Sequence, residues 1–187
     1  MEKTKSKIEQ EAMDIEYTNE QIKDIERKVL NREKGIGLEA NYIENEYEKR
    51  IESYDRMLNL VKSKLDSDEK IFVSKINVPY KSGSGAMSVV AYYQGLFFTN
   101  KRIFIFNMNF KYEEIESMKI KDIKDITILR DNEEIDGVRI EFTNKDRIFI
   151  KSYSKDEKEL TLIIVKYLLD KGIKFSKINK TIEKLFY

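Results

Sequence analysis

The 187-residue chain contains no histidine and no cysteine. That double absence excludes zinc centres built on His or Cys, Ser-His-Asp triads, thiol nucleophiles and disulfides. Long apolar runs are also missing: no stretch reaches the roughly 18 apolar residues of a membrane-spanning helix. Neither sign of charge dominates. The 35 basic and 34 acidic residues leave a net charge of +1, so bulk electrostatics gives no pull toward nucleic acid. What is abundant is charge of both signs, 37% of residues, beside a 41% hydrophobic share. This combination suits one modest core with long solvated helices.

A cysteine-free chain fits the cytoplasm. The first six residues are charged and lack an apolar signal core, which argues against secretion by that route. Lysine outnumbers arginine 27 to 8 and 25 residues are isoleucine, the usage of an AT-rich bacterial genome. The expected location is therefore the bacterial cytoplasm, with the inner face of the membrane as a peripheral alternative.

The grammar of the chain changes near Leu65-Asp66-Ser67-Asp68. Before it there is no proline, and Ile8, Ile15, Ile22, Val29, Ile36 and Ile43 recur every seven residues. Tyr47, Ile51, Tyr54, Leu58, Val61 and Leu65 then alternate at four and three. A mean spacing of about 3.5 puts these side chains on one narrow helical stripe that needs a partner. Gly35-Ile36-Gly37 interrupts the pattern, at roughly 2 kcal/mol of helix propensity relative to alanine. The reading is two helices, about 4–33 and 38–65, arranged either as an intramolecular hairpin or as an intermolecular coiled coil. Ile8, Ile15, Ile22, Val29, Ile51, Tyr54, Leu58 and Val61 form the candidate association stripe for self-assembly into an oligomer or for a partner.

After Asp68 the period drops from 3.5 to 2. Seven strands are expected: one from Ile71, then 88–98, 102–106, 112–120, 123–129, 137–143 and 147–151. Phe98-Thr99-Asn100-Lys101-Arg102 and Phe142-Thr143-Asn144-Lys145-Asp146-Arg147 each place Asn in a tight connection, where it tolerates positive φ. They read as two similar hairpins. A helix follows over 154–169. Ser154 and Glu157 form a capping box, Leu160, Ile163, Ile164, Tyr167 and Leu168 the buried stripe, and Lys171-Gly172 the stop.

Three segments sharpen this order. They are Asp68-Glu69-Lys70-Ile71, Gly95-Leu96-Phe97-Phe98-Thr99-Asn100-Lys101-Arg102-Ile103-Phe104-Ile105-Phe106, and Ile120-Lys121-Asp122-Ile123-Lys124-Asp125-Ile126. Over residues 67–171 the chain resembles the bacterial pleckstrin-homology-like (PH-like) domains. The resemblance implies an α+β chain with a bent seven-stranded antiparallel β-sandwich or barrel, capped at one end by the C-terminal helix. Leu160, Ile164 and Leu168 would cover a core containing Ile71, Phe104, Val138, Ile140 and Phe142. The expected division is 1–66 helical, 67–171 PH-like, and 172–187 a basic amphipathic tail.

Candidate sites are few. The lipid-reading members of that superfold tend to carry Lys-x-Arg near the first hairpin, whereas residues 88–95 here contain no basic residue. Ser82-Gly83-Ser84-Gly85 lacks the helix start and the Gly-Lys-Ser/Thr ending of a phosphate loop and reads as a hairpin loop. Lys101-Arg102 is either an anion-binding corner or a turn in which Arg102 pairs with a nearby carboxylate or carbonyl. The acidic stretch from Asp131 to Asp136 lacks EF-hand spacing and reads as a solvated loop. In the tail, Ile178, Ile182 and Leu185 lie at helical spacing among Lys174, Lys177, Lys180 and Lys184. With Lys75, Lys81, Lys101 and Arg102, these lysines are the candidate contacts to an anion or a lipid surface, while the tail segment can equally dock on the domain or on a partner. No motif frames a catalytic pair of carboxylates. The expectation is a non-catalytic adaptor without cofactor or metal that binds a protein or peptide partner and no specific nucleic acid. The alternative is weak association with an anionic membrane through the tail.

Overall fold

The structure is a computed structural model that describes residues 7–31, 40–77, 93–109, 112–131 and 134–179. Its helices are α1 (Lys7–Asp14), α2 (Asn19–Leu30), α3 (Ala40–Ser63) and α4 (Lys155–Asp170). Its strands are β1 (Ile71–Asn77), β2 (Tyr93–Thr99), β3 (Arg102–Asn109), β4 (Tyr112–Lys119), β5 (Ile123–Asp131), β6 (Glu134–Phe142), β7 (Arg147–Lys151) and β8 (Phe175–Asn179). β1 to β4 form one antiparallel sheet in sequence order. β7, β6 and β5 form a second antiparallel set, and β8 adds to β5 in parallel. The chain is thus α+β, with a helix after the seventh strand. It makes two compact units, Glu26–Lys119 and Met1–Ile25 with Ile120–Tyr187. The division between the two units falls inside α2.

The first expected helix, 4–33, is broken at residues 15–18. The cause is a second capping box. The Thr18 amide donates to Gln21 Oε1 (2.8 Å), and the Gln21 amide donates to Thr18 Oγ1 (3.2 Å). A new helix starts there rather than continuing the old one.

In the Glu26–Lys119 unit the α3 stripe packs mainly on a sheet, with Leu30 of α2 against the same cluster. Met57 and Val61 are fully buried, and with Tyr54 and Leu58 they pack on Ile76, Phe97, Phe104 and Phe106. The Tyr54 and Phe97 rings stack at 6.0 Å between centroids. Gly95 permits this closeness: a Cβ there would lie 2.6 Å from Met57 Sδ and 2.8 Å from Phe97 Cε2. Neither the helical hairpin nor the intermolecular coiled coil is needed to bury these residues. Of the rest of the stripe, Ile22 and Val29 are buried and Ile15 and Ile51 half-buried. The side chain of Ile8 lies outside the described residues, as do Ile36 and the Gly35–Gly37 interruption.

In the other unit β5, β6 and β7 run in antiparallel register through Ile126↔Ile140↔Ile148 and Ile128↔Val138↔Ile150, all buried. The acidic segment expected as a loop is mostly strand, with Asp131 of β5 opposite Glu134 of β6. In the β6–β7 turn the positive φ belongs to Lys145 (74°), not to Asn144. Asn144 acts through its side chain instead, accepting from the Asp146 amide (3.0 Å). α4 begins with the expected Ser154/Glu157 capping box, and its buried residues include Leu160, Ile163, Ile164, Tyr167 and Leu168. Of the five expected core residues, Phe104, Val138, Ile140 and Phe142 are buried and Ile71 is half-buried.

The described part of the tail docks on its own chain, one of the expected alternatives, but as a strand rather than a helix. Gly172 at φ 80° ends α4 in a Schellman motif, its amide donating to Leu169 O (2.8 Å) and the Ile173 amide to Leu168 O (3.1 Å). The chain then enters β8 rather than a further helix. A helix would leave the β5 edge uncovered, whereas β8 satisfies it, as in the bond from Ile126 N to Lys174 O (3.3 Å).

Gly95→Ala is expected to destabilise the chain by about 1–3 kcal/mol, the usual range for overpacking. In a Met57→Ala background the penalty shrinks, because half of the collision is gone. Urea denaturation of the four chains measures this coupling, and an equal penalty in both backgrounds would contradict the packing.

Candidate functional site

Two places collect the residues singled out by sequence. The first is the corner where α3 gives way to β1. Glu69 sits there with no exposed side-chain surface. The Arg102 fork grips its carboxylate, Nε at 3.1 Å from Oε1 and Nη2 at 2.8 Å from Oε2. The Thr99 hydroxyl donates to Oε1, and the Asp66 amide donates to Oε2 (3.2 Å). Arg102 Nη2 also donates to Lys64 O (2.9 Å), and the guanidinium lies 4.6 Å from the Phe104 ring centroid. Asn100 completes the corner, accepting from the Lys70 amide (2.8 Å) and donating to Asp68 O (3.1 Å).

Burial pushes the Glu69 carboxyl up, but hydrogen bonds from Arg102, Thr99 and the Asp66 amide, with the Arg102 charge, outweigh it and hold it below its ordinary value of 4.5. Lys101 Nζ donates to Asp66 Oδ2 (3.0 Å) and Asp68 Oδ1 (2.6 Å). Both cations of the expected anion-binding corner are thus spent on carboxylates of their own chain.

The other expected contacts do not gather around them. Lys75 is 2% exposed in β1, which removes it from any membrane contact. Lys174 is exposed just before β8. Lys177 is on β8, opposite Thr127 of β5. Its side chain, with Lys81, Lys180, Lys184 and the Ser82–Gly85 loop, lies outside the described residues. Among the described residues no three carboxylates converge as a metal ion would require.

The second place is the edge of β5. β8 runs beside it in the register Ile126↔Phe175, Thr127↔Lys177, Ile128↔Ile178 and Leu129↔Asn179, with an irregularity between Ile126 and Thr127. Phe175 is half-buried and, like Leu162 of α4, packs on the pair Ile128 of β5 and Ile135 of β6. The result is a strand edge covered by β8, whose Phe175 joins a small apolar cluster drawn from β5, β6 and α4. Sequence reasoning missed Phe175 because it followed the 3.6-residue spacing of Ile178, Ile182 and Leu185. The available signal was Gly172 as a helix stop, followed by the alternation Ile173, Phe175.

A third feature concerns β1. The Ser74 amide, opposite Phe97 in the register, turns away from β2 and donates to Glu26 Oε1 of α2. Ser74 Oγ donates to the same oxygen (2.9 Å). Its single proton is thereby committed, so Tyr54 donates its own to Ser74 Oγ (2.8 Å). A side chain therefore occupies this part of the β1 edge.

No family model and no curated protein matches the chain. Among solved structures it is similar to the hSac2 domain from human phosphoinositide phosphatase Sac2, at 14% identity and a TM-score of 0.46, over 72% of this chain and 90% of that one. At that level the likeness carries neither a fold assignment nor a ligand to this chain.

Arg102→Ala leaves Glu69 buried without its counter-charge and is expected to cost about 3 kcal/mol, the lower end for breaking a buried pair. The pH dependence has a defined sign. The folded value of Glu69 lies below 4.5, so its contribution is present above about pH 4.5 and is lost as pH falls through the folded value. Urea midpoints should therefore drop more steeply on acidification in the wild type than in Glu69→Gln. Parallel acid limbs would show that the ion pair does not stabilise the fold.

Proposed function

We propose that the chain is a non-catalytic interaction module with a PH-like arrangement of its two sheets and α4, and that it binds an extended segment of a protein or peptide partner. The observation that carries this reading is the β5 edge, because it already holds an extended strand, β8, through backbone pairing and one apolar anchor. Recognition by strand addition works in this way: the ladder supplies affinity and the pockets supply selectivity.

Other edges fit the reading less well. β4 pairs only with β3 among the described residues, but it carries Glu113, Glu114 and Glu116, and charge along an edge discourages casual pairing. The α3 stripe is consumed by its own sheet, so the reading places the partner at a strand edge rather than on that helix. Paired Lys101 and Arg102 and buried Lys75 weaken the case for a lipid surface.

Panning the full chain against a random peptide library, alongside co-sedimentation with anionic vesicles, tests the reading. Enriched peptides should bind saturably at physiological salt, and vesicle binding should vanish at that salt. A library without enrichment, together with vesicle binding that survives the salt, would replace the peptide reading with the membrane one.

A further inference from the structure

The β5 edge is occupied by a segment that is weakly attached for its position. β8 has five residues and pairs in parallel on a sheet whose other ladders are antiparallel. Parallel pairing is slightly less stable per residue, and the ladder is irregular between Ile126 and Thr127. Phe175 is only half-buried there.

The cluster that Phe175 joins, by contrast, belongs to elements that do not need β8. Ile128 is fully buried and Ile135 is 5% exposed, and the two strands pair antiparallel from Ile123↔Phe142 to Asp131↔Glu134, with register shifts between Ile123 and Asp125 and between Leu129 and Arg130. The end of α4 is also independent. Its last carbonyls are satisfied by the amides of Lys171, Gly172 and Ile173, all of which precede β8. Release of the chain from Lys174 onward therefore leaves the helix stop intact.

Resting on the interaction-module reading above, we propose that β8 is a displaceable resident ligand. The β5 edge then accepts in trans an extended peptide that runs parallel to it and sets a large apolar side chain where Phe175 lies. The chain's own tail keeps the site closed until such a segment competes it away. The ligand chemistry follows from the cluster: Ile128, Ile135 and Leu162 select an aromatic or large aliphatic anchor and make no demand for charge.

The probe is a fluorescein-labelled peptide of residues 173–187, titrated into the full chain and into full-length Phe175→Ala. The variant should show an apparent affinity at least about tenfold tighter, because weakening the resident raises the fraction of open edges. The same Phe→Ala change in the peptide should abolish binding. A second measurement needs no variant. In hydrogen exchange of the wild-type chain, β5 amides facing β8, Ile126 among them, should exchange at least about tenfold faster than those facing β6. Equal protection of the two sets, or no peptide binding by either folded chain, would overturn the proposal. The two readings fail separately. Library peptides whose backbone shifts map to β4 or β7 would sink the β5 site and keep the interaction module; no peptide binding anywhere would sink both.

Discussion

A buried carboxylate governs how the two grammars of this chain are joined. Glu69 has no exposed side-chain surface, and burying a charge is costly unless it is paired and fully hydrogen-bonded. Meeting that demand fixes its surroundings. Arg102 must present its fork from the start of β3, Thr99 its hydroxyl from the end of β2, and Asp66 its amide from the turn after α3. The remaining reach of Arg102, to Lys64 O, fastens the end of α3 to the same point. One anion thus sets where the helix stops, where β1 enters and how the β2–β3 turn is held.

With the end of α3 fixed, its apolar stripe has one place to go. The stripe lies over Phe97, Phe104 and Phe106, and Gly95 lets Met57 approach the sheet. A spacing near 3.5 states only that one face is apolar; it does not say whether the cover is a helix or a sheet. The strand content supplies the answer. β2 and β3 alternate so that Phe97, Phe104 and Phe106 occupy one face, while Leu96, Phe98, Ile103 and Ile105, also buried, occupy the other. A sheet apolar on both faces needs two covers, and α3 is the nearer in sequence.

Legibility followed the range of the interaction. Strands β2 to β7 and the capping box of α4 were readable because period 2 and the Ser154/Glu157 pair act over a few residues. The pairing of Arg102 with a carboxylate was readable in kind, but not in partner, because Glu69 lies 33 residues away. The Thr18-Asn19-Glu20-Gln21 box was equally local, yet the seven-residue repeat through Ile15 and Ile22 masked it. Asn100 and Asn144 were assigned the right turns for the wrong reason: each works through side-chain hydrogen bonds rather than positive φ. Lys75 was misjudged because a count of lysines does not reveal which are buried, and helical spacing over three residues did not show that the tail docks as a strand.

That docking returns the argument to how the chain closes its own sheets. Two outer strands are covered by segments of the same chain, and the covers differ in kind. At β1 the cover is a carboxylate: Glu26 accepts from both the amide and the hydroxyl of Ser74, itself 3% exposed, and Tyr54 completes the chain of bonds. Hydrogen bonds to an ionised acceptor are the stronger class, and breaking these would strand buried donors. At β5 the cover is a short parallel strand with a half-buried anchor. Its donors and acceptors are backbone groups that any extended peptide carries, so exchanging one strand for another leaves none unsatisfied. The β1 edge is closed by a group that a peptide backbone does not reproduce, and the β5 edge by one that it does. That chemical difference, rather than the number of open edges, is the reason the proposed site lies at β5.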